Sequence, residues 1–307
     1  MQETEIEIKE KDNKLYISRQ IKPIDMEHVH KEFDQLIKIG HQAHTKSSRC
    51  KIGNNVVDYF TFLPRLETKG KYNVSYFEFL EQLDLFREKK FIQNMLTYYK
   101  NVKNKNNTKN QYVVYKEVYN ICISAINIMR PLNCMELFSR FQSKRVLNCC
   151  AGWGGSTVAA AALNLEAHYG IDVNVYLEQP YRDMISFLNT KSTCSLYFTV
   201  ADAALFDYRT LQYDTVFMSP PYYFIEKYQC NKPYDNLKSV MDTQFYIPMF
   251  SNSYLYLQPG GHYIINVCKE IYDNVLVKIL GNAHITFPLK KSKRQNNYTE
   301  FVYVWNK

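Results

Sequence analysis

Long apolar runs are missing from this chain: nowhere in its 307 residues do about 18 apolar residues follow one another, so no segment has the makings of a membrane-spanning helix. A basic-then-apolar leader is missing as well. The N-terminus reads Met1-Gln2-Glu3-Thr4-Glu5, acidic and polar, which leads us to expect a soluble protein of the cytoplasm or nucleus that is not secreted. Metal signatures are absent too: the eight cysteines include no CxxC pair, and none is followed by histidine at zinc-ligand spacing, so reduced thiols and no bound metal are expected.

What is present suffices for unaided folding. The chain is 46% hydrophobic, ample for a buried core in one large or two modest domains. Its net charge of +8, with pI near 8.9, favours a polyanionic partner, although charge alone names only a partner class. The 26 tyrosines, alongside many Lys and Asn, match the codon bias of an AT-rich genome and identify no site.

The chain opens with alternation, Ile6-Glu7-Ile8 and Leu15-Tyr16-Ile17 around Lys11-Asp12-Asn13-Lys14, which predicts a short polar hairpin or frayed arm. Val29, Phe33, Leu36 and Ile37 sit at helical spacing and predict a helix over 26–39, ended near Gly40. Residues 56–62, Val-Val-Asp-Tyr-Phe-Thr-Phe, read as extended, and a second helical stretch runs over 76–99. Residues 100–110 are a basic, Asn-rich break carrying Lys103, Lys105 and Lys109; there we place the boundary between a mainly helical N-terminal extension (1–110) and the remainder (111–307). After a helix over 113–129 the texture changes. Short apolar strands near 145–150, 167–172, 195–199, 213–218 and 262–267 alternate with helical stretches, the pattern of a parallel α/β sheet. Residues 284–287 and 300–305 predict two closing strands, an antiparallel hairpin across the basic turn Lys290-Lys291-Ser292-Lys293-Arg294.

Three motifs carry chemistry. The first is Val146-Leu147-Asn148-Cys149-Cys150-Ala151-Gly152-Trp153-Gly154-Gly155, followed by an Ala-rich helix: a strand entering glycines and then a helix, where backbone can approach a nucleotide-like ligand. Such a turn serves dinucleotide dehydrogenases equally. The second is Asp172, roughly 20 residues further on at a strand end, where an acid pairs with ribose hydroxyls or simply caps the next helix; Asp202, after the third strand, can take a hydrogen bond from an adenine amino group or act as a cap. The third is Ser219-Pro220-Pro221-Tyr222 directly after a buried strand. The paired rings fix the backbone and remove N–H donors, which makes the carbonyls rigid acceptors. An exocyclic base amine is a poor nucleophile because its lone pair is delocalised. Ser219 and the Pro220 carbonyl could accept its two protons and turn the lone pair outward, with Tyr222 stacked on a base swung out of its helix.

At these residues the chain resembles the amino-methyltransferases that carry the [D/N/S]-P-P-[Y/F] signature, in the Ser-Pro-Pro-Tyr form. Cys150-Ala151-Gly152-Trp153-Gly154-Gly155, Tyr222 with Glu226-Lys227-Tyr228, and Asp58-Tyr59-Phe60-Thr61-Phe62 with Thr68-Lys69-Gly70-Lys71-Tyr72 are similar to segments of phage and large-DNA-virus members, over most of residues 45–307. The resemblance implies a Rossmann-like class I methyltransferase sheet, mostly parallel with a C-terminal antiparallel hairpin, and S-adenosylmethionine as cofactor. It implies a catalytic loop of Ser219, Pro220, Pro221 and Tyr222, and cofactor contacts from Asn148, Cys150, Ala151, Gly152, Gly154, Asp172, Val173, Asp202 and Ala203. Two positions depart from the pattern: Asn148 stands where Asp is usual and brings no charge, and Cys150 replaces the common aromatic.

In that family the Ser form goes mainly with cytosine N4 and the Asp or Asn form with adenine N6, so the expected substrate is a DNA base amine, cytosine N4 ahead of adenine N6. Lys103, Lys105, Lys109, Lys290, Lys291, Lys293 and Arg294 are the expected phosphate contacts. The sheet uses most of the residues after the glycine turn, so sequence recognition is expected from residues 1–140. RNA methylation, and a nucleic-acid-binding protein that keeps the fold without turnover, are the alternatives, and pairing with a second copy is left open. A dehydrogenase would leave the prolines unexplained.

Overall fold

The computed structural model describes residues 2–70, 72–224, 234–290 and 300–307. Seven strands form one sheet: β1 (Arg145–Asn148), β2 (Ala167–Asp172), β3 (Ser195–Val200), β4 (Thr215–Met218), β5 (His262–Val267), β6 (Ile285–Pro288) and β7 (Phe301–Asn306), in the order β3-β2-β1-β4-β5-β7-β6. The first five pair in parallel, and β7 runs antiparallel to both β5 and β6. The alternation of short strands and helices predicts the parallel part and the last two segments the closing hairpin; together they make the Rossmann-like class I methyltransferase sheet that the resemblance implies. Every residue of β4 is buried, as expected of a central strand covered on both faces. The chain builds outward from β1 to β3 and then returns to the other side of β1 with β4. That reversal opens a crevice at the carboxyl ends of β1 and β4.

The helices before the sheet are α1 (Gln2–Ile21), α2 (Met26–Ile39), α3 (Asn54–Glu67), α4 (Tyr76–Glu81), α5 (Leu83–Arg87), α6 (Lys90–Tyr98), α7 (Gln111–Cys122) and α8 (Pro131–Arg140). α9 (Gly155–Ala162) and α10 (Glu178–Leu188) follow β1 and β2, and α11 (Lys238–Met241) and α12 (Ile247–Leu255) precede β5. The opening segment is thus helix α1 and not a hairpin. Residues 56–62 are helical and not extended, because tertiary burial overrides their strand-favouring side chains. In α3 Val56 and Val57 enter the core beneath the sheet with Val29, Phe33 and Leu36 of α2, while Phe62 and Leu66 enter a separate helical core with Tyr76, Phe79 and Tyr119. Each such fully buried side chain contributes roughly 1.5–3 kcal/mol.

The stretch 76–99 is three helices where one was expected. Ser75 and Glu78 form a capping box that starts α4, and the chain then breaks near Gln82 and Lys89. The helix expected over 113–129 stops at Cys122, and Pro131 at the first turn opens α8, which the sequence reading passed over. Tyr115, Val118 and Tyr119 of α7 pack into the helical core, so that layer continues through Ile123, past the expected boundary at residue 110.

Candidate active site

The groups expected from sequence stand along the carboxyl edge of the sheet. β1 ends at Asn148, which is 4% exposed and turned inward: its Nδ2 donates to Ser156 Oγ at 2.8 Å and its Oδ1 accepts from the Cys150 N–H at 3.1 Å. Ser156 in turn lies 3.1 Å from Nε2 of the fully buried His168 on β2. Asn148 therefore shapes the turn and ties it to the start of α9. Behind the turn, the Tyr181 hydroxyl of α10 donates to the Ala151 carbonyl at 3.0 Å, and the Ala151 N–H donates to Ile171 O at 2.8 Å.

Gly152 and Gly154 have φ of +56° and +93°, backbone that side chains rarely adopt. A Cβ on Gly152 would meet only the Cys150 carbonyl, 3.9 Å away, so the space above it is open to a ligand. On Gly155, by contrast, a Cβ would collide with the Met129 carbonyl; that glycine serves packing.

Asp172 faces Gly152 across the mouth of β2. Its Oδ2 accepts from the Gly152 N–H at 2.8 Å and its Oδ1 from the Asn174 N–H at 3.0 Å. Burial pushes its carboxyl above the usual range, against the lowering by the N–H groups of Asn174, Gly152 and Val173. Each oxygen keeps a lone pair for a further donor such as a ribose hydroxyl. Val173 beside it is exposed. Half-buried Asp202 accepts from the Ala204 N–H at 2.9 Å and precedes buried Ala203. The Cys150 thiol is held protonated, first by burial and then by Cys149, Asp172 and Asp202.

At the end of β4, Ser219 Oγ donates to Asn266 Oδ1 at 3.2 Å, and the Tyr222 hydroxyl lies 3.3 Å from the same oxygen. The Pro221 carbonyl accepts from the Tyr246 hydroxyl, which itself accepts from the Tyr223 N–H at 3.0 Å. Among the described residues none donates to the Pro220 carbonyl. The loop leaves through Tyr223, whose φ of +48° turns the chain back toward Asp242, to which its hydroxyl donates at 3.0 Å.

Sequence reasoning missed Asn266, Tyr246, Thr61 and Tyr234. Tyr234 packs against the cluster that holds Cys150, Ala201 and Ala203, and burial, then Asp202 and Cys150, push its phenol up to about 12. Of the expected phosphate contacts, Lys103 and Lys105 are exposed. Lys109 pairs with Glu117 at 2.7 Å, and Lys290 with Glu136 at 3.3 Å and the His44 carbonyl at 2.8 Å. Lys291, Lys293 and Arg294 lie outside the described residues, as do Glu226, Lys227 and Tyr228. Among the described residues no group of three or more His, Cys, Asp or Glu side chains could hold a metal, and no helix is long and apolar enough to cross a membrane.

No protein-family model matches the chain, and no curated protein does. Solved structures do. TrmN from Thermus thermophilus is 18% identical with a TM-score of 0.43, over 58% of this chain and 48% of its own, so this chain spans about half of that protein. A methyltransferase homolog from Pyrococcus horikoshii is 16% identical (TM-score 0.41, 57% of this chain and 66% of that one). The glycopeptide N-methyltransferase MtfA complexed with S-adenosyl-L-methionine is 12% identical (TM-score 0.40, 59% and 88%). At these values the fold assignment rests on the strand order itself.

Proposed function

We propose that the protein is an S-adenosylmethionine-dependent methyltransferase acting on the exocyclic amine of a nucleic-acid base, cytosine N4 in DNA ahead of adenine N6. The observation that carries this is the pairing of two acceptors at the end of β4, Ser219 Oγ and the Pro220 carbonyl, with an open glycine turn and two acids on the neighbouring strand ends. The residues fit the cofactor: Gly152 leaves room for it, Asp172 would hold the ribose, and Asp202 with Ala203 and Tyr234 would face the adenine. When bound, the cofactor supplies an electrophilic methyl group.

The chain's own residues do the rest. Ser219 and Pro220 accept the two amine protons, which aligns the nitrogen lone pair with the methyl donor. The neutral serine suffices, because the nitrogen becomes a strongly acidic cation once methylated and needs no strong base to release its proton. The Tyr222 ring stacks on the extruded base, and the exposed Lys103 and Lys105 neutralise phosphates, so binding weakens as salt rises. The same loop chemistry serves RNA bases, and the experiment separates the two. DNA and RNA are each incubated with the protein and labelled cofactor, digested, and the modified nucleoside identified. N4-Methylcytosine in DNA is the expected product. N6-Methyladenine alone would change the base, labelled RNA alone would change the substrate class, and no transfer to either would overturn the reading.

A further inference from the structure

We propose that Asn266 is a positioning residue that makes Ser219 act as a hydrogen-bond acceptor in the reaction; the role rests on the methyltransferase reading above. Asn266 lies in β5, is fully buried, and is the one amide in the otherwise apolar run Tyr263-Ile264-Ile265-Asn266-Val267. Its Nδ2 donates to the Phe301 carbonyl of β7 at 2.9 Å. That bond fixes which way the amide points, since the flipped rotamer would set Oδ1 against a carbonyl oxygen. Oδ1 therefore faces the loop, where Ser219 Oγ lies at 3.2 Å and the Tyr222 hydroxyl at 3.3 Å.

Because Oδ1 can only accept, the Ser219 hydroxyl directs its proton to it, while the Tyr222 hydroxyl stands between Oδ1 and the Asn266 carbonyl, 3.4 Å away. A serine hydroxyl left free to rotate could offer its proton to the incoming nitrogen, and that would tie up the lone pair the reaction needs. With the proton held by Asn266, the lone pairs of Ser219 Oγ are the only part left to meet the amine N–H. One buried amide thus gives a neutral serine the acceptor character that a carboxylate has by itself.

The test is a double-mutant cycle on methyl transfer, with cofactor affinity read separately by calorimetry. Asn266→Leu is expected to lower kcat by about 10–100-fold while changing cofactor affinity less than about threefold. In a Ser219→Ala background the same substitution should cost little more, because the group it acts on is gone. Asn266→Asp, buried against the Phe301 carbonyl, should hold a proton and donate it there as the amide does, leaving its other oxygen to accept from Ser219, and should remain within about tenfold of the unsubstituted protein. The role is overturned by unchanged kcat in Asn266→Leu, by losses that multiply independently of Ser219→Ala, or by a loss in Asn266→Asp as large as that of Ser219→Ala. If Asn266→Leu fails to fold, the Asn266→Asp result decides. Absence of transfer by the unsubstituted protein, with the cofactor still bound, removes the base-methylation reading and this role with it, a result distinct from a defect confined to the Asn266 variants.

Discussion

The Thr61 hydroxyl of α3 lies 3.1 Å from the Trp153 carbonyl and shares its proton between that carbonyl and Val57 O at 2.8 Å. A helix some 90 residues upstream thereby braces the middle of the glycine turn, in a fully buried contact. Thr61→Val keeps the shape and leaves the Trp153 carbonyl without this donor. We expect a loss of stability of about 1–2 kcal/mol and cofactor binding several-fold weaker. Denaturant titration and calorimetry check both; unchanged affinity would mean that α3 supports the fold without setting the turn.

The opening above Gly152 is tested by filling it. Gly152→Val adds a branched side chain where φ is +56° and where a Cβ would otherwise meet open space. The backbone strain costs about 1–2 kcal/mol, and the side chain occupies the ligand's place, so cofactor affinity should fall by more than tenfold. Asp172→Ala should weaken binding comparably, and it also releases the Gly152 N–H that Oδ2 now holds. If S-adenosylmethionine binds both variants as it binds the unsubstituted protein, the cofactor lies elsewhere.

The strands and the site loop were legible for physical reasons. A run such as Val216-Phe217-Met218 is apolar without period and is followed, one residue on, by paired prolines, which fixes both type and boundary. The turn at Gly152 announces itself by its glycines. Asn266 gave one weak signal, a lone amide in an apolar strand, which must find partners if buried, but only the pairing of β5 with β7 shows which. α3 was hidden because Val56-Val57 and Tyr59 through Phe62 favour strands locally, and the two cores that claim its opposite faces are not adjacent in sequence. Asn148 brings no charge where an aspartate is usual, and only the structure shows that its amide bonds to Ser156 and Cys150.

His168 couples the turn to acid. It is fully buried, and burial lowers its imidazole from 6.5 to about 3, so it is neutral in the folded protein. Between those values the unfolded chain takes up a proton that the folded chain refuses, so stability falls as pH drops from 6.5 toward 3. His168→Gln should lose less stability over that interval than the unsubstituted protein. Parallel losses in denaturant titrations at pH 7 and pH 5 would show that His168 does not titrate this way.

Lys116 of α7 works on the alkaline side. Its Nζ lies over the rings of Tyr119 and Tyr76, 4.6 and 5.3 Å from their centroids, and donates to Asn120 Oδ1 at 2.9 Å. Burial first, then the nearby Arg65 and Lys22, lower the ammonium from 10.5 to about 7, with Asp58 opposing them. Arg65 and Lys22 both pair with the single buried carboxylate of Asp58, and among the described residues no carboxylate pairs with Lys116. At pH below about 7 both the folded and unfolded chains carry the charge, and the folded state bears its full cost. Between about 7 and 10.5 the folded chain sheds the proton while the unfolded chain keeps it, so stability rises with pH across that window. Lys116→Met keeps the apolar stem against the tyrosines and removes the charge. It should raise the melting temperature most at pH 6–7, with the gain shrinking toward pH 10. A gain that is the same at every pH would show that the lysine's packing, and not its charge, limits the helical layer.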